Sequence, residues 1–498
     1  QLGDPITKEP LMHLCLELNE MKLLTGMKDL GGGGLSCVVG ELALDGGFGA
    51  SVNLEKVPLK VENMAPWEIW VSESQERMMF TVKPEDVDRV LARCEAWDVE
   101  AVPIGEVIIE KRNIVRFNGV EILNLDLEFT TGGPVYNRPY NLPDYDTGPA
   151  VPLPEYPADL GETILDLVSH PEVASKDWVI RQYDHEVRGK TVLKPIQGPI
   201  GKDVPGDSSV LKPVDDSWKG LALTADVNPY LMEANPYHGT MSAVEEVCRN
   251  LAAVGARIDS LADCLCFGNP RKPDIMGQFK ASCEALRDAA IAVDVPYVSG
   301  NVSLYNETSD GAIPPTPVLM GVGLVEDIRN CTTSDMKKDG SIWLIGKTKE
   351  EMGASLYYRS IGKVCPNIPK TDFDSFIPRM EQLIQAIEQG EVVACHDIST
   401  GGIATAVIEM CMSGVGANIR LGEDVRADVE LFSESNGRWI VQVANDKEKD
   451  FARRFDYAIR IGEVGSKVSF SKNNEIIADF EVEKLRKKWT MPVWDRLA

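Results

Sequence analysis

Two stretches of the sequence join a carboxylate to a run of glycines, a combination that suits the binding of a phosphate with its metal ion. KDLGGGGL (28–35) contains Asp29, and HDISTGGI (396–403) contains Asp397. Apolar residues at helical spacing follow both runs, so each run precedes a helix whose first N–H groups carry partial positive charge. A carboxylate beside a phosphate needs a cation between them, usually Mg²⁺. The alternative is a tight turn in which the Asp caps the loop backbone.

Short polar residues beside glycine are concentrated in two later segments. DCLCFGNP (263–270) and SGNVSLYNE (299–307) each follow an apolar, strand-like run. We expect loops here, in which Asp263, Asn301 and Ser303 suit contacts to a nucleotide and its Mg²⁺. The same residue types are equally typical of Asx turns, which stay open as the alternative.

A carboxylate, a hydroxyl and an amide stand in a row in SESQER (72–77), at Glu73, Ser74 and Gln75. Such a row can bind a sugar or an amide group, or it can close a turn. A similar row occurs much later in the chain, in SESNGR (433–438).

These similarities are parts of one internal repeat. The glycine runs, the SES segments and two IGEV segments (104–107 and 461–464) recur in the same order and at nearly constant separation. Three matches in register indicate duplication of a domain rather than coincidence. If the duplicated unit includes the domain that precedes the second copy, the first copy should have one too, and we expect it upstream of Gln1.

The repeat and the local composition predict the domain organisation. The six prolines of 138–157 indicate an extended linker on a surface. Apolar runs such as RMMFTV, PVLMGVGLV, SIWLIG and RWIVQVA alternate with helical patterns such as PEDVDRVLARCEAW and MSAVEEVCRNLAAVG, so the class is α/β with helices covering sheets. The predicted parts are a domain at 1–137, a linker at 138–174, a domain at 175–330 and a second copy of the first domain at 335–498.

Composition excludes several classes of function. The net charge of −26 argues against nucleic-acid binding, which needs clustered Lys and Arg. No apolar run is long enough for a transmembrane helix, and the eleven scattered cysteines are expected to be free thiols in a reducing cytoplasm. There is no P-loop, HExxH or GxSxG motif, so any ATP chemistry does not use a P-loop.

Six motifs in this order resemble the phosphoribosylformylglycinamidine synthase family, in its small single-subunit form, over nearly the whole chain: QLGDP, KDLGGGGL, VSESQERM, DCLCFGNP, SGNVSLYNE and HDISTGGI. The resemblance implies an aminoimidazole ribonucleotide synthetase-like (PurM-like) fold with pseudo-twofold duplication. The domains would be B1, A2 and B2, with the first domain, A1, missing. It also implies conversion of formylglycinamide ribonucleotide, ATP and ammonia to formylglycinamidine ribonucleotide, ADP and phosphate, with Mg²⁺.

The resemblance implies binding roles for individual residues. It implies substrate contacts at Gln1, Glu73, Ser74, Gln75 and Ser303. It implies ATP contacts at Asp263 and Gly300, and Mg²⁺ ligands at Asp29 and Asn301. By pseudo-symmetry, Asp397, Gly401 and Gly402 are candidates for an auxiliary nucleotide or phosphate site.

Other implications concern what lies outside this chain. The catalytic histidines of the family lie in the missing A1 domain, so no catalytic residue is expected here and the chain alone should be inactive. Ammonia would come from a glutaminase subunit, PurQ, with a small subunit, PurS.

Cys266 stands where the family motif has asparagine. Alternatives are a nucleotide-binding scaffold, or another ATP-dependent enzyme of the superfamily such as selenophosphate synthetase or thiamine-monophosphate kinase.

Overall fold

The computed structural model describes residues 5–144 and 151–497. Contacts divide the chain into two compact units, Gln1–Asn137 and Arg138–Ala498. Gln1, a predicted substrate contact, lies outside the described residues. The two units are described separately.

The first unit is a mixed α/β structure with two small sheets. Its helices are α1 (Lys8–Glu20), α2 (Leu35–Asp45), α3 (Pro66–Val71), α4 (Val87–Ala96) and α5 (Leu127–Gly132). Its strands are β1 (Leu24–Asp29), β2 (Gly49–Asn53), β3 (Met78–Val82), β4 (Gly105–Ile108), β5 (Arg112–Phe117) and β6 (Val120–Asp126). β1 pairs with β3, and a four-stranded sheet has the order β4-β2-β5-β6. Apolar residues of α2 pack against β2 and β5, which fixes the start of α2 beside the end of β1.

The second unit contains two larger sheets. Its strands are β7 (Thr191–Leu193), β8 (Ile196–Gln197), β9 (Val204–Pro205), β10 (Ser209–Leu211), β11 (Gly220–Asp226), β12 (Arg257–Cys266), β13 (Tyr297–Ser303), β14 (Glu307–Thr308), β15 (Gly311–Ala312), β16 (Thr316–Val325), β17 (Ser341–Ile345), β18 (Val392–Asp397), β19 (Gly416–Arg420), β20 (Trp439–Val443), β21 (Ile459–Gly465), β22 (Val468–Lys472) and β23 (Glu475–Phe480). The sheet orders are β13-β12-β16-β11-β10-β7 and β18-β20-β17-β21-β19-β22-β23.

Helices cover these sheets, as the alternating apolar patterns predict. They are α6 (Leu160–Val168), α7 (Asp177–Ile180), α8 (Pro229–Ala234), α9 (Pro236–Ala253), α10 (Pro273–Val293), α11 (Leu356–Ser360), α12 (Phe373–Glu388), α13 (Gly402–Cys411), α14 (Ala427–Phe432), α15 (Glu448–Arg454) and α16 (Val482–Leu497). α9 begins where Asn235 accepts a hydrogen bond from the His238 N–H and Pro236 takes the first position. Residues on alternate positions of β16 are buried under the helices, and the intervening ones are more exposed, so this sheet has one covered face and one open face.

The segment predicted to be a linker is only partly extended. α6 lies within 138–174, and five of its nine residues are buried in the core beside α13 and β23. Leu160, Ile164 and Val168 recur at helical spacing and form that buried face. The prolines precede this helix, so they indicate irregular structure only for the first part of the segment.

Candidate functional site

The first glycine run forms a loop between β1 and α2 that is open to solvent at Asp29. Gly33 and Gly34 have φ of +75° and +55°, a region that glycine enters without strain. A Cβ on Gly34 would lie 1.9 Å from the Ser72 carbonyl oxygen, so the loop packs directly on the SES segment. Asp29 is the last residue of β1 and is exposed. An exposed carboxylate beside this loop fits the hard oxygen donors that Mg²⁺ prefers.

The SES segment of the first unit holds this loop in place. The Glu73 carboxylate accepts a hydrogen bond of 2.9 Å from the Gly33 N–H. The Ser72 and Ser74 hydroxyls share a hydrogen bond of 3.1 Å, and Arg77 donates to the carbonyl oxygens of both serines. The three side chains Glu73, Ser74 and Arg77 therefore brace the loop. Gln75 is exposed and is the member of the row most available to a ligand.

The second copy repeats this arrangement bond for bond. Glu434 accepts a hydrogen bond of 2.8 Å from the Gly401 N–H, and the Ser433 and Ser435 hydroxyls are 2.8 Å apart. Arg438 donates to the carbonyl oxygens of Ser433 and Ser435. The recurrence of the carboxylate, serine pair and arginine supports the duplication read from the sequence. We call each set the latch of its loop: Ser72, Glu73, Ser74 and Arg77 in the first copy, and Ser433, Glu434, Ser435 and Arg438 in the second.

The two copies differ in exposure. Glu73 is exposed, whereas the Glu434 and Arg438 residues are 7 % and 0 % exposed. Burial raises the pKa of Glu434 to about 7 and lowers the pKa of Arg438 to about 9. Gly402, the counterpart of Gly34, is packed against the carbonyl oxygens of Leu431 and Ser433. Both loops are therefore held by the same bonds, but the latch of the second copy is buried and the carboxylate of the first latch is exposed.

Asp397, a candidate for the auxiliary site, is buried and already paired. Its carboxylate accepts a hydrogen bond of 2.9 Å from Nε of Arg249, which also pairs with Glu245 and lies 3.0 Å from Glu246. Arg249 is 1 % exposed, so its guanidinium is excluded from water. No sequence motif links Arg249 to Asp397, because Arg249 lies on α9, 148 residues before its partner.

Further buried carboxyl groups lie around the ion pair of Arg249 and Asp397. Burial raises the pKa of Asp226 to about 7 and the pKa of Glu246 well above its usual range. One Asp226 oxygen and the Asn250 amide oxygen are buried without a hydrogen-bond partner. His396 lies between the carboxylates of Asp207, at 2.6 Å, and Glu409, at 3.2 Å.

His396 is held as a buried cation by these two carboxylates. Although burial opposes the charge, Asp207 and Glu409 raise the pKa of His396 well above its usual value. One signal in the sequence points to this group, since His396 immediately precedes Asp397 in the second glycine motif. Asp207, His396 and Asp397 each offer a ligand atom, and these atoms lie within 4.8 Å of one another. Because an imidazolium has no free ring nitrogen for a metal and Asp397 is already paired with Arg249, this grouping is an ion-pair network around His396 rather than a metal site.

The polar residues of the middle segments lie in strands, which corrects the expectation that they form loops. Asp263 is in β12, and Gly300, Asn301 and Ser303 are in β13, because parallel pairing of the two strands continues through both motifs. Asp263 pairs with Gly300, and a Cβ on Gly300 would lie 2.7 Å from the Asp263 carboxylate. Burial raises the pKa of Asp263.

The strand pairing separates the predicted contacts into two groups. Since successive side chains alternate across a sheet, Asn301 and Ser303 are on the face opposite Asp263. Beyond the strands, Asn269 and Asn306 brace the connecting loops. Asn269 accepts from the Arg271 N–H, and Asn306 donates to the carbonyl oxygens of Phe267 and Ser303. These two residues form turns of the side-chain-to-backbone kind, which is the alternative to ligand binding that stays open for these segments.

The latch of the second copy yields a pH-dependent prediction. Glu434 has a folded pKa of about 7 against 4.5 for the free side chain, so the folded state binds more protons than the unfolded state between these values. Stability therefore falls as pH rises through this window, by roughly 3 kcal/mol at 1.36 kcal/mol per unit. Glu434→Gln keeps an oxygen acceptor and removes the charge. We expect its urea-unfolding midpoint to exceed that of the parent at pH 8 and to approach it near pH 5.

The matched control is Glu73→Gln, the equivalent change in the exposed latch. Because Glu73 is exposed, this change removes no buried charge, and its urea-unfolding midpoint should not exceed that of the parent at pH 8. Equal pH profiles for the parent and Glu434→Gln would contradict the assignment of the buried charge.

Among the described residues, no helix combines the length and the apolar character required to cross a membrane.

Comparison with known proteins identifies the family. A model of the AIR synthase related protein, C-terminal domain, matches residues 1–118 and again 369–471, and the model of its N-terminal domain matches 205–325. One domain type thus occurs twice, as the repeat predicts.

Curated relatives extend this similarity along the chain. Phosphoribosylformylglycinamidine synthase subunit PurL of Thermoplasma volcanium is 37 % identical over 98 % of this chain and 65 % of its own length. The same subunit of Thermococcus sibiricus is 40 % identical over 96 % of this chain and 66 % of its own length. The chain therefore spans slightly less than two thirds of these relatives.

Solved structures show the same fold. A structure of T. maritima PurL complexed with FGAR has a TM-score of 0.68 at 24 % identity, covering 93 % of this chain and 66 % of that one. A structure of PurLQS from Thermotoga maritima has a TM-score of 0.68 at 24 % identity, covering 93 % of this chain and 68 % of that one. The matches to the two domain models and the 37–40 % identity over nearly all of this chain together show that it belongs to the AIR synthase-related family, as a homologue of the PurL subunits.

Proposed function

We propose that this chain is the B1–A2–B2 part of a phosphoribosylformylglycinamidine synthase. The proposed reaction is the ATP-dependent conversion of formylglycinamide ribonucleotide and ammonia to formylglycinamidine ribonucleotide, ADP and phosphate, a step of purine biosynthesis in the cytoplasm. The observation that carries the proposal is the 37–40 % identity to PurL subunits over nearly the whole chain. The open glycine loop of the first unit, with exposed Asp29, is consistent with it.

In this reaction the substrate amide oxygen is phosphorylated by ATP, and ammonia then displaces phosphate from the resulting iminophosphate. Positioning and charge compensation dominate such transfers. Mg²⁺, when bound, supplies positive charge at the phosphates. Asp29 in the first unit and Asn301 in the second are each proposed as Mg²⁺ ligands, and Asp263 and Gly300 are proposed to contact the nucleotide.

The two glycine loops are proposed to have different roles. In the first unit, Glu73 and Ser74 brace the loop, so Gln75 is the side chain with the freest access to substrate. In the second unit, the pairing of Asp397 with Arg249 and of Gly401 with Glu434 favours a structural role for the auxiliary candidates.

We also propose that ammonia reaches this protein from a partner. One of the solved structures with this fold is that of PurLQS from Thermotoga maritima. By analogy, a glutaminase subunit of the PurQ type and a small subunit of the PurS type are the proposed partners here.

The test is the affinity of this protein for the substrate. Gln75→Ala is expected to weaken binding of formylglycinamide ribonucleotide at least tenfold, because an amide ligand of the substrate is lost, and to leave binding of a non-hydrolysable ATP analogue unchanged. Isothermal calorimetry measures both.

Asn436→Ala, the change at the equivalent position of the second copy, is the matched control. Asn436 donates to the Ser242 and Thr371 hydroxyls, so its replacement should alter stability but not substrate affinity. A protein that binds nucleotide and shows no affinity for the ribonucleotide would instead be a nucleotide-binding scaffold, and the proposed function would fail.

A further inference from the structure

Two thiols lie side by side on the open face of the six-stranded sheet. Cys264 and Cys266 are two residues apart on β12, and their Sγ atoms are 3.8 Å from each other. Both cysteines are partly exposed. Leu265, between them, is buried on the covered face, which places the two thiols together on the opposite side.

The separation of the two sulfur atoms matches that of two ligands on one metal ion. Zinc–thiolate bonds of about 2.3 Å at a tetrahedral angle place the two sulfurs roughly 3.8 Å apart. A disulfide would fit less well. Two residues along a strand span roughly 6.6 Å between Cα atoms, which is near the upper limit that a disulfide accepts. Chelation of a cation therefore requires less movement than oxidation of the pair.

Polar residues of the neighbouring strands surround the thiols. Cys264 pairs with Asn301 and Cys266 with Ser303 on β13, and Cys266 pairs with Thr316 on β16. Paired residues share a face of the sheet, so an amide and two hydroxyls are on the same side as the thiols. These groups and water can complete the coordination of a cation held by two sulfurs.

We propose that Cys264 and Cys266 form a binding site for a thiophilic divalent cation of the Zn²⁺ type on the open face of this sheet. The thiols must lose their protons to bind it. The site is distinct in chemistry from the Mg²⁺ position of the proposed reaction, because thiolates favour soft cations and Mg²⁺ favours oxygen.

One consequence rests on the proposed function. A cation at the thiol pair lies beside Asn301 and Ser303, which are proposed to contact Mg²⁺ and substrate. Occupancy of the thiol site should therefore weaken binding of formylglycinamide ribonucleotide.

The site itself is tested without nucleotide or substrate, so its outcome does not depend on that function. The reduced chain is titrated with Cd²⁺ as a spectroscopic probe for Zn²⁺, and sulfur-to-metal charge-transfer absorption is recorded. We expect saturation at one equivalent and at least tenfold weaker binding in Cys264→Ser and Cys266→Asn. The second variant introduces the residue of the family motif. Cys37→Ser, which removes an exposed thiol of the first unit, is the control and should bind like the parent.

Unchanged affinity in both pair variants, or an equal loss in the Cys37 control, would overturn the proposal. A second measurement covers the case in which a variant folds poorly. In the parent, one equivalent of Zn²⁺ should protect Cys264 and Cys266, but not Cys37, from alkylation by iodoacetamide, as mapped by mass spectrometry. Equal labelling of the pair with and without Zn²⁺ would also overturn it.

Discussion

Replacement of Arg249 by methionine is expected to lower the free energy of unfolding of the second unit by about 3–5 kcal/mol at pH 8. Arg249 is 1 % exposed and pairs with Asp397, Glu245 and Glu246. Methionine fills a similar volume but leaves three carboxylates without their cation in a site that excludes water. The loss is measured by urea unfolding followed through tryptophan fluorescence.

The loss should be smaller at acid pH. Burial already raises the pKa of Glu245 and Glu246, and removal of the arginine raises both further, so these carboxyls become neutral by protonation as pH falls. We therefore expect Arg249→Met to lie closer to the parent at pH 5 than at pH 8. This sign follows because the folded variant binds more protons than the unfolded chain over that range.

Arg453→Met is the matched control, an arginine on the surface of the same unit. Arg453 is 3.6 Å from Asp450, and both side chains are more than half exposed. Such pairs contribute about 0–1 kcal/mol, so this variant should unfold close to the parent. A loss below 1 kcal/mol for Arg249→Met at pH 8 would show that the buried network does not stabilise the fold as we describe.

The sequence predicts those parts of the fold that depend on local patterns of residue types along the chain. Glycine runs followed by helical stripes predict α2 and α13, and the apolar runs predict β3, β16, β17 and β20. The order of repeated segments predicts the duplicated domain, because copies of one fold keep the residues that brace the same loop. The latch is an example, since its arginine donates to the carbonyl oxygens of the two serines in both copies.

Long-range pairing explains what the sequence could not predict. Asn301 and Ser303 are hydrophilic and stand beside glycine, which locally indicates a loop, but pairing of β13 with β12 extends the strand through them. The different exposure of Glu73 and Glu434 is also invisible in two nearly identical motifs, since burial depends on the elements that pack over each copy. Arg249 has no motif that points to Asp397, because only the packing of α9 against β18 brings them together.

Gly402→Ala is expected to destabilise the second unit by about 3–5 kcal/mol, the combined cost of a left-handed residue with a side chain and of a steric clash. Gly402 has φ of +71°, and an added Cβ would lie 2.5 Å from the Leu431 carbonyl oxygen and 2.7 Å from that of Ser433. These are main-chain atoms, so the methyl group can be accommodated only if the loop moves away from its latch. The hydrogen bond between the Gly401 N–H and Glu434 should then weaken.

Gly362→Ala separates the two contributions to that cost. Gly362 has nearly the same backbone angle, φ of +67°, but no heavy atom lies within 4 Å of its added Cβ. Its substitution should therefore cost only the left-handed backbone strain, about 1 kcal/mol. Thermal and urea unfolding of the two variants measure the difference. If both lost the same free energy, the glycine at 402 would be required only for its backbone angle, and the close approach of the latch would not be what selects it.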